Sequence, residues 1–266
     1  MPGTPSESRF SSRMKNAVDA VTVPLSFIGA VAAVFPELFK KHGFRKKDFF
    51  YYLDLCGTRS LGVVLLIGAL MGMVLALQGA LQLRKVGTDI FVVDLVGFAV
   101  LKEFGPLMVA IIATGRAGSA FAAEIGTMKV NEEIYALQTL GVSPEAFLVL
   151  PKLSAMLIAM PLLAVFSDAA GVIGGMLVGV TFLEIPVTAY VERTFAVLDE
   201  ITFLLGILKC SIFSVLITLA GCYCGFQAGN DAQGVGRGAT KAVVASIFLV
   251  IIADAVMTVL YSFIGY

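Results

Sequence analysis

Residues 115–144 read GRAGSAFAAEIGTMKVNEEIYALQTLGVSP, a polar interlude between two long apolar runs. A chain that turns polar between two such runs leaves the hydrocarbon there, because nothing in lipid can satisfy its charges. Within it, Val130, Ile134 and Leu137 recur at helical spacing, while Lys129, Glu132, Glu133 and Gln138 mostly lie elsewhere around the helix. Glu132 and Glu133 stand near the start, where the helix dipole favours acids, and Gly141 and Pro144 supply a stop. The spacing predicts a short amphipathic helix over 127–140, on the cytoplasmic side. Two readings are open: a link between spans, or a docking helix for a cytoplasmic partner.

Outward from this stretch the chain reads as membrane. Of 266 residues, 58% are hydrophobic and 14% charged, the net charge is zero, and the mean hydropathy is +0.93. A soluble domain carries about a quarter charged residues. Bulk charge points to no acidic or basic partner and to no nucleic acid. Apolar runs predict spans at 58–80, 90–115, from 146, 201–226 and 242–266, each long enough for about 30 Å of hydrocarbon. Residues 169–183 are ambiguous: a separate short span, an extension of the third, or a re-entrant piece. The 184–200 segment carries Glu184, Glu192, Asp199 and Glu200 against Arg193, whereas 227–241 carries Arg237 and Lys241 against Asp231. The excess of basic residues places the second segment inside and the first, periplasmic, outside. A single crossing between 146 and 184 follows, giving five spans with the N-terminus in the cytoplasm and the C-terminus out. Arg84 and Lys85, on the outer side, run against this.

Residues 1–13 lack an apolar stretch of signal-peptide type and read as a disordered cytoplasmic tail. Residues 14–48, with Lys40, Lys41, Arg45, Lys46 and Lys47, read as an interfacial amphipathic helix and basic segment. The expected fold is therefore an all-α integral membrane protein, an interfacial helix followed by a five-helix domain over 49–266. Cys56, Cys210, Cys222 and Cys224 lie in or beside apolar runs, far in sequence from the single histidine, His42, and read as packing thiols, not as a metal site. Gly68-x3-Gly72, Gly171-x3-Gly175-x3-Gly179 and Gly221-x3-Gly225 mark close helix contacts.

Charges inside spans are costly and point to function. Lys102, Glu103, Lys209 and Asp254 fall at similar depth from the outer side, Lys102 and Glu103 about 15 Å in. They form either a self-neutralising structural cluster or a site for a zwitterionic or anionic head group. Arg116 and Glu124, eight residues and about 12 Å apart, are too far to pair along one straight helix and read as gate or packing charges. The stretch GVGRGATK (234–241) is not a phosphate-binding loop, and no catalytic set is present, so ATP-driven work requires a separate ATPase. An ion-coupled secondary transporter using Asp254 or Glu103 is the alternative, although no inverted repeat is evident.

The stretch LKEFGPLMVAIIATGRAGSAFAAEIGTMKVNEEIYALQTLGVSP (101–144), with GMVLALQGALQL (72–83) and GVGRGATKAVV (234–244), resembles the signature of MlaE-type permeases, the membrane subunits of ABC transporters that maintain outer-membrane lipid asymmetry. Residues 228–233, AGNDAQ, fit no clear family pattern. The resemblance implies a homodimeric permease of the bacterial inner membrane with an interfacial helix and five spans. It makes 127–140 the coupling helix, with Lys129, Val130, Glu132, Glu133, Ile134 and Leu137 toward the ATPase. It assigns Lys102, Glu103 and Lys209 to a phospholipid pocket, with Leu77, Gln78 and Ala80 as further wall and Asp254 nearby. The implied partners are two ATPase subunits that hold the ATP and magnesium, a periplasmic MCE-domain protein and, as a further candidate, a small STAS-type cytoplasmic protein. No cofactor is expected in this chain itself.

Overall fold

A computed structural model describes Phe27, Gly29 and residues 46–83, 90–197 and 200–264. The expected tail and most of the interfacial segment lie outside the described residues, as do Arg84, Lys85 and Asp199. The described chain is all helical: α1 (Lys46–Leu83), α2 (Phe91–Val130), α3 (Glu133–Thr139), α4 (Glu145–Thr181), α5 (Val187–Val197), α6 (Glu200–Phe226) and α7 (Ala232–Ile264). Five of them, α1, α2, α4, α6 and α7, are long and apolar enough to cross a bilayer, so the chain is a multi-pass integral membrane protein. The 131–144 turn and the 227–231 turn lie at one end of the bundle, and residues 182–197 at the other.

Several boundaries differ from the reading of the sequence. The first span begins at Lys46 instead of 58, so Lys46–Asp48 belong to α1 and not to the interfacial segment. Of that segment, Phe27 is helical and packs its ring on Tyr223 and Phe226, with centroids 5.6 and 5.8 Å away. The second span does not end near Arg116, because α2 runs on to Val130 as a 40-residue helix. At 1.5 Å per residue it is about 60 Å long, twice the hydrocarbon thickness, so hydropathy marks only its immersed part. Residues 169–181 extend the third span, since α4 continues unbroken to Thr181. The fifth span, α7, starts at Ala232, which makes Arg237 and Lys241 helical residues.

The helix expected over 127–140 is broken. Asn131 (φ −79°, ψ 4°) leaves helical geometry and Glu132 is left-handed (φ 61°), although their amides still bond to the Thr127 and Lys129 carbonyls. Only Glu133–Thr139 forms α3, which stops before Gly141 at φ +74°, as the sequence anticipates. The apolar spacing survives because Ile134 and Leu137 both turn inward, with Met128, onto the main core.

Helix α4 is the central post. It lies along α1 over the most extensive contact in the bundle and also packs on α6. Small residues set the spacing, since bare backbones approach closely where side chains are missing. A Cβ on Gly72 would fall 1.8 Å from the Gly171 carbonyl oxygen, and one on Gly174 would fall 2.0 Å from that of Ala69. A second small-residue seam joins α2 to α6, with Gly221 against Gly118 and Gly225 against Ala122.

Candidate functional site

The membrane-embedded charges converge. Lys209, on α6, is fully buried. Its ammonium donates to Glu103 Oε2 at 2.6 Å, to Thr258 Oγ1 at 3.1 Å and to the Lys102 carbonyl at 3.3 Å. Asp254 Oδ1 lies 2.7 Å from the same nitrogen, an ion pair outside hydrogen-bonding geometry. Thr258 in turn donates to Glu103 Oε1 at 2.9 Å. Asp254 and Thr258 stand one turn apart on α7 and face α6 together.

Glu103 reaches the group from a wide π turn, Val100–Phe104, that interrupts α2. Such turns re-aim side chains and recur at functional sites. Two carboxylates therefore share one lysine ammonium inside the spans. Lys102 joins through its carbonyl only, and its ammonium makes no hydrogen bond or ion pair among the described residues. An unpaired cation beside an acid-rich cluster gives two poles, suited to phosphate and to amine. The remaining wall residues separate: Leu77 and Gln78 are exposed on α1, whereas Ala80 is buried between α1 and α2 with Val92 and Val96 and offers no surface to a ligand.

Toward the 131–144 end, the expected packing charges find partners on other helices. Glu124 Oε1 accepts from the Tyr52 hydroxyl at 2.5 Å and from the Lys152 ammonium at 3.1 Å. Lys152 is fully buried, also donates to the Tyr52 oxygen at 2.9 Å, and lies 4.4 Å from the centre of the Tyr52 ring. This network ties α1, α2 and α4 together. Arg116 instead donates to the Arg59 carbonyl on α1.

The expected ATPase-facing residues divide. The Lys129 ammonium is 2.8 Å from both the Phe226 and the Ala228 carbonyls. These lie at and just past the end of α6, where orphan carbonyls and the negative end of the helix dipole favour a cation. Lys129 thus caps α6. Val130 is half-buried, and Ile134 and Leu137 are inside. Glu132, Glu133, Tyr135 and Leu140 are exposed and form the surface open to a partner. Replacing Lys129 with methionine, which keeps the bulk, is expected to destabilise the helix end by about 2 kcal/mol through two lost charge-assisted hydrogen bonds. A lowered thermal midpoint in detergent, with faster hydrogen exchange confined to residues 222–232, is the signature to look for.

At the opposite end Arg193 on α5 grips Asp94 on α2 with two hydrogen bonds of 2.7 and 2.5 Å, and its guanidinium lies 5.3 Å from the Phe91 ring centre. The hydrogen bond to Asp94, then its charge, raises the Arg193 pKa further above its ordinary value. Burial pushes the neighbouring Tyr190 phenol up to about 12. Within the acidic segment, Val187–Val197 thus forms a helix docked on α2.

Lys152, Tyr52, Thr258 and the Asp94–Arg193 pair are absent from the sequence reading. Lys152 follows Pro151 at the start of an apolar run and passes for an ordinary boundary charge. Asp94 and Arg193 are 99 residues apart, with no local signal to join them.

The family model described as Permease MlaE matches residues 49–260. A probable ABC transporter permease protein of Rickettsia prowazekii is 36% identical over 236 residues, covering 89% of each chain. The intermembrane phospholipid transport system permease protein MlaE of Haemophilus influenzae is 32% identical over 213 residues, covering 77% of this chain and 79% of its own. The chloroplastic protein TRIGALACTOSYLDIACYLGLYCEROL 1 of Arabidopsis thaliana is 30% identical over 206 residues, covering 77% of this chain and 59% of its own. With a match spanning the five membrane helices and the charged cluster, the chain belongs to the MlaE permease family.

Proposed function

We propose that this chain is the membrane subunit of an ABC-type phospholipid transporter in a bacterial inner membrane, with its N-terminus cytoplasmic and its C-terminus periplasmic. The observation that carries the reading is the Glu103–Lys209–Asp254 cluster, held inside the spans of an MlaE-family chain and flanked by Lys102, whose ammonium has no partner among the described residues. Charges held at such depth serve a polar cargo more readily than they serve stability. The phosphate of a head group would meet Lys102, its amine would meet the carboxylates, and its acyl chains would lie on apolar helix faces.

Two copies of the chain would enclose the cargo. The exposed face of α7, with Val244, Phe248, Ile252 and Val256, is apolar and would offer a surface for such pairing. Two ATPase subunits, carrying ATP and magnesium, would dock on Glu132, Glu133, Tyr135 and Leu140. A periplasmic MCE-domain protein and a STAS-type cytoplasmic protein complete the proposed assembly.

Native mass spectrometry on the tagged chain, extracted gently from its own membranes, tests the composition. The expected species holds two copies of this chain, two of an ATPase and bound phospholipid. The chain alone under several mild detergents, with no ATPase, would favour ion-coupled secondary transport through Asp254 and Glu103.

A further inference from the structure

The π turn Val100–Phe104, which delivers Glu103 to Lys209, is seated on its neighbours at three points. At its entry the Val100 side chain fills a notch on α4 left by Gly171, where a Cβ would fall 2.8 Å from Val100 Cγ1. Next, the Leu101 carbonyl lies over Gly206 on α6, 2.6 Å from a would-be Cβ. Gly206 stands one turn before Lys209, so the helix that carries the lysine also carries the turn. At its exit the Gly105 amide closes the turn on the Val100 carbonyl. Gly105 there packs directly on Asp168 Oδ1 of α4, with no room for a Cβ. Asp168 and Gly171 share one face of α4 at i, i+3 spacing. Glu103 lies between these seats.

Asp168 is the costly member of the seat. It is 8% exposed, and its Oδ1 is buried with no hydrogen-bond partner among the described residues. An unpaired polar atom inside a span costs stability, and a hydrocarbon side chain would avoid that cost. The acid therefore points to a role beyond packing. What its oxygen meets is the Gly105 backbone, where a glycine Cα–H can face an acceptor. A π turn holds one residue more than an α turn and persists only where its surroundings favour it. Its relaxation to regular helix would swing the side chains it aims by about 100° per residue, carrying Glu103 off Lys209.

We propose that Asp168 is a positioning residue for the charged site: its carboxyl, pressed on Gly105, holds the Val100–Phe104 turn open and so keeps Glu103 on Lys209. The benefit to lipid binding rests on the phospholipid reading of the cluster. The contact between Asp168 and α2 does not.

The test is a double-mutant cycle on the full chain in a mild detergent: wild type, Asp168→Ala, Glu103→Gln and the pair together, with Asp168→Asn as the conservative variant. Thermal midpoint and phospholipid retained per chain are both measured. Glu103→Gln takes a charge from Lys209 whatever the cargo, so its thermal shift reports whether Glu103 is in place. That shift should be clear in the wild-type background and nearly absent beside Asp168→Ala, because Glu103 has already left the lysine. Asp168→Ala should lower retained phospholipid roughly tenfold, as loss of a charge-assisted contact predicts, and Glu103→Gln should lower it no further. Asp168→Asn keeps the shape and an acceptor oxygen and should keep both properties. If Asp168→Ala fails to accumulate, Gly105→Ala, whose methyl displaces the carboxyl from the α2 side, takes its place in the cycle. Additive thermal shifts, or no shift from Glu103→Gln in the wild type, would overturn the positioning role. So would loss of phospholipid in a folded Asp168→Asn protein. Coupled thermal shifts with phospholipid unchanged in every variant would uphold the positioning and overturn the lipid reading instead.

Discussion

Gly72→Leu is expected to leave little folded protein. The new Cβ would fall 1.8 Å from the Gly171 carbonyl oxygen and 2.9 Å from the Gly171 Cα, so backbone, not a flexible side chain, must give way. Helix α1 would have to part from α4 along the longest contact in the bundle, losing the close approach at Gly68–Ser167 and Ala69–Gly174 as well. Overpacking of this kind destabilises by about 3 kcal/mol or more. Gly62→Leu is the matched control: it lies on the same helix with nothing within 4 Å of its would-be Cβ, and should be neutral. The yield of monodisperse protein and its thermal midpoint in a mild detergent compare the two. Equal behaviour would mean that α1 and α4 do not cross at these glycines.

Lys209→Met is expected to have the second large effect, and to act on stability and function together. It leaves Glu103 and Asp254 facing a vacated cationic position inside the bundle, and removing one partner of a buried ion pair destabilises by about 3–5 kcal/mol. Lipid retention should fall with it. The triple variant Lys209→Met, Glu103→Gln, Asp254→Asn separates the two effects. It should recover most of the stability, because no uncompensated charge remains, yet still fail to hold phospholipid. Recovery of both would make the cluster a self-neutralising structural element and remove it from the lipid site.

Why some features were legible in the sequence and others were not has physical reasons. An apolar run of twenty residues has little choice but to span, so the five crossings are visible in composition. Constant rise per residue then places Glu103, Lys209 and Asp254 at one depth before any contact is known. Helix ends are less visible, because α2 and α7 continue as helices past the hydrocarbon, where hydropathy no longer reports them. The break at Asn131–Glu132 is hidden for another reason: the left-handed residue is a glutamate instead of a glycine, and the apolar spacing on either side stays in phase. That same spacing marks Ile134 and Leu137 as a contact face, which the bundle uses for its own core. Lys129 is legible as a charge but not as a cap, since its partners lie 97 and 99 residues away. Asp168 falls within the third span and passes unmarked in the sequence, and only the packing of α4 shows it buried.

The central claim is that this chain moves phospholipid with energy from a partner ATPase. Proteoliposomes holding the purified assembly, a fluorescent phospholipid and ATP test it most directly. Lipid transfer is expected to need ATP and magnesium and to be lost in the triple variant of the charged cluster while ATP hydrolysis persists. Transfer that ignores ATP but follows an imposed ion gradient, or that survives in the triple variant, would contradict it.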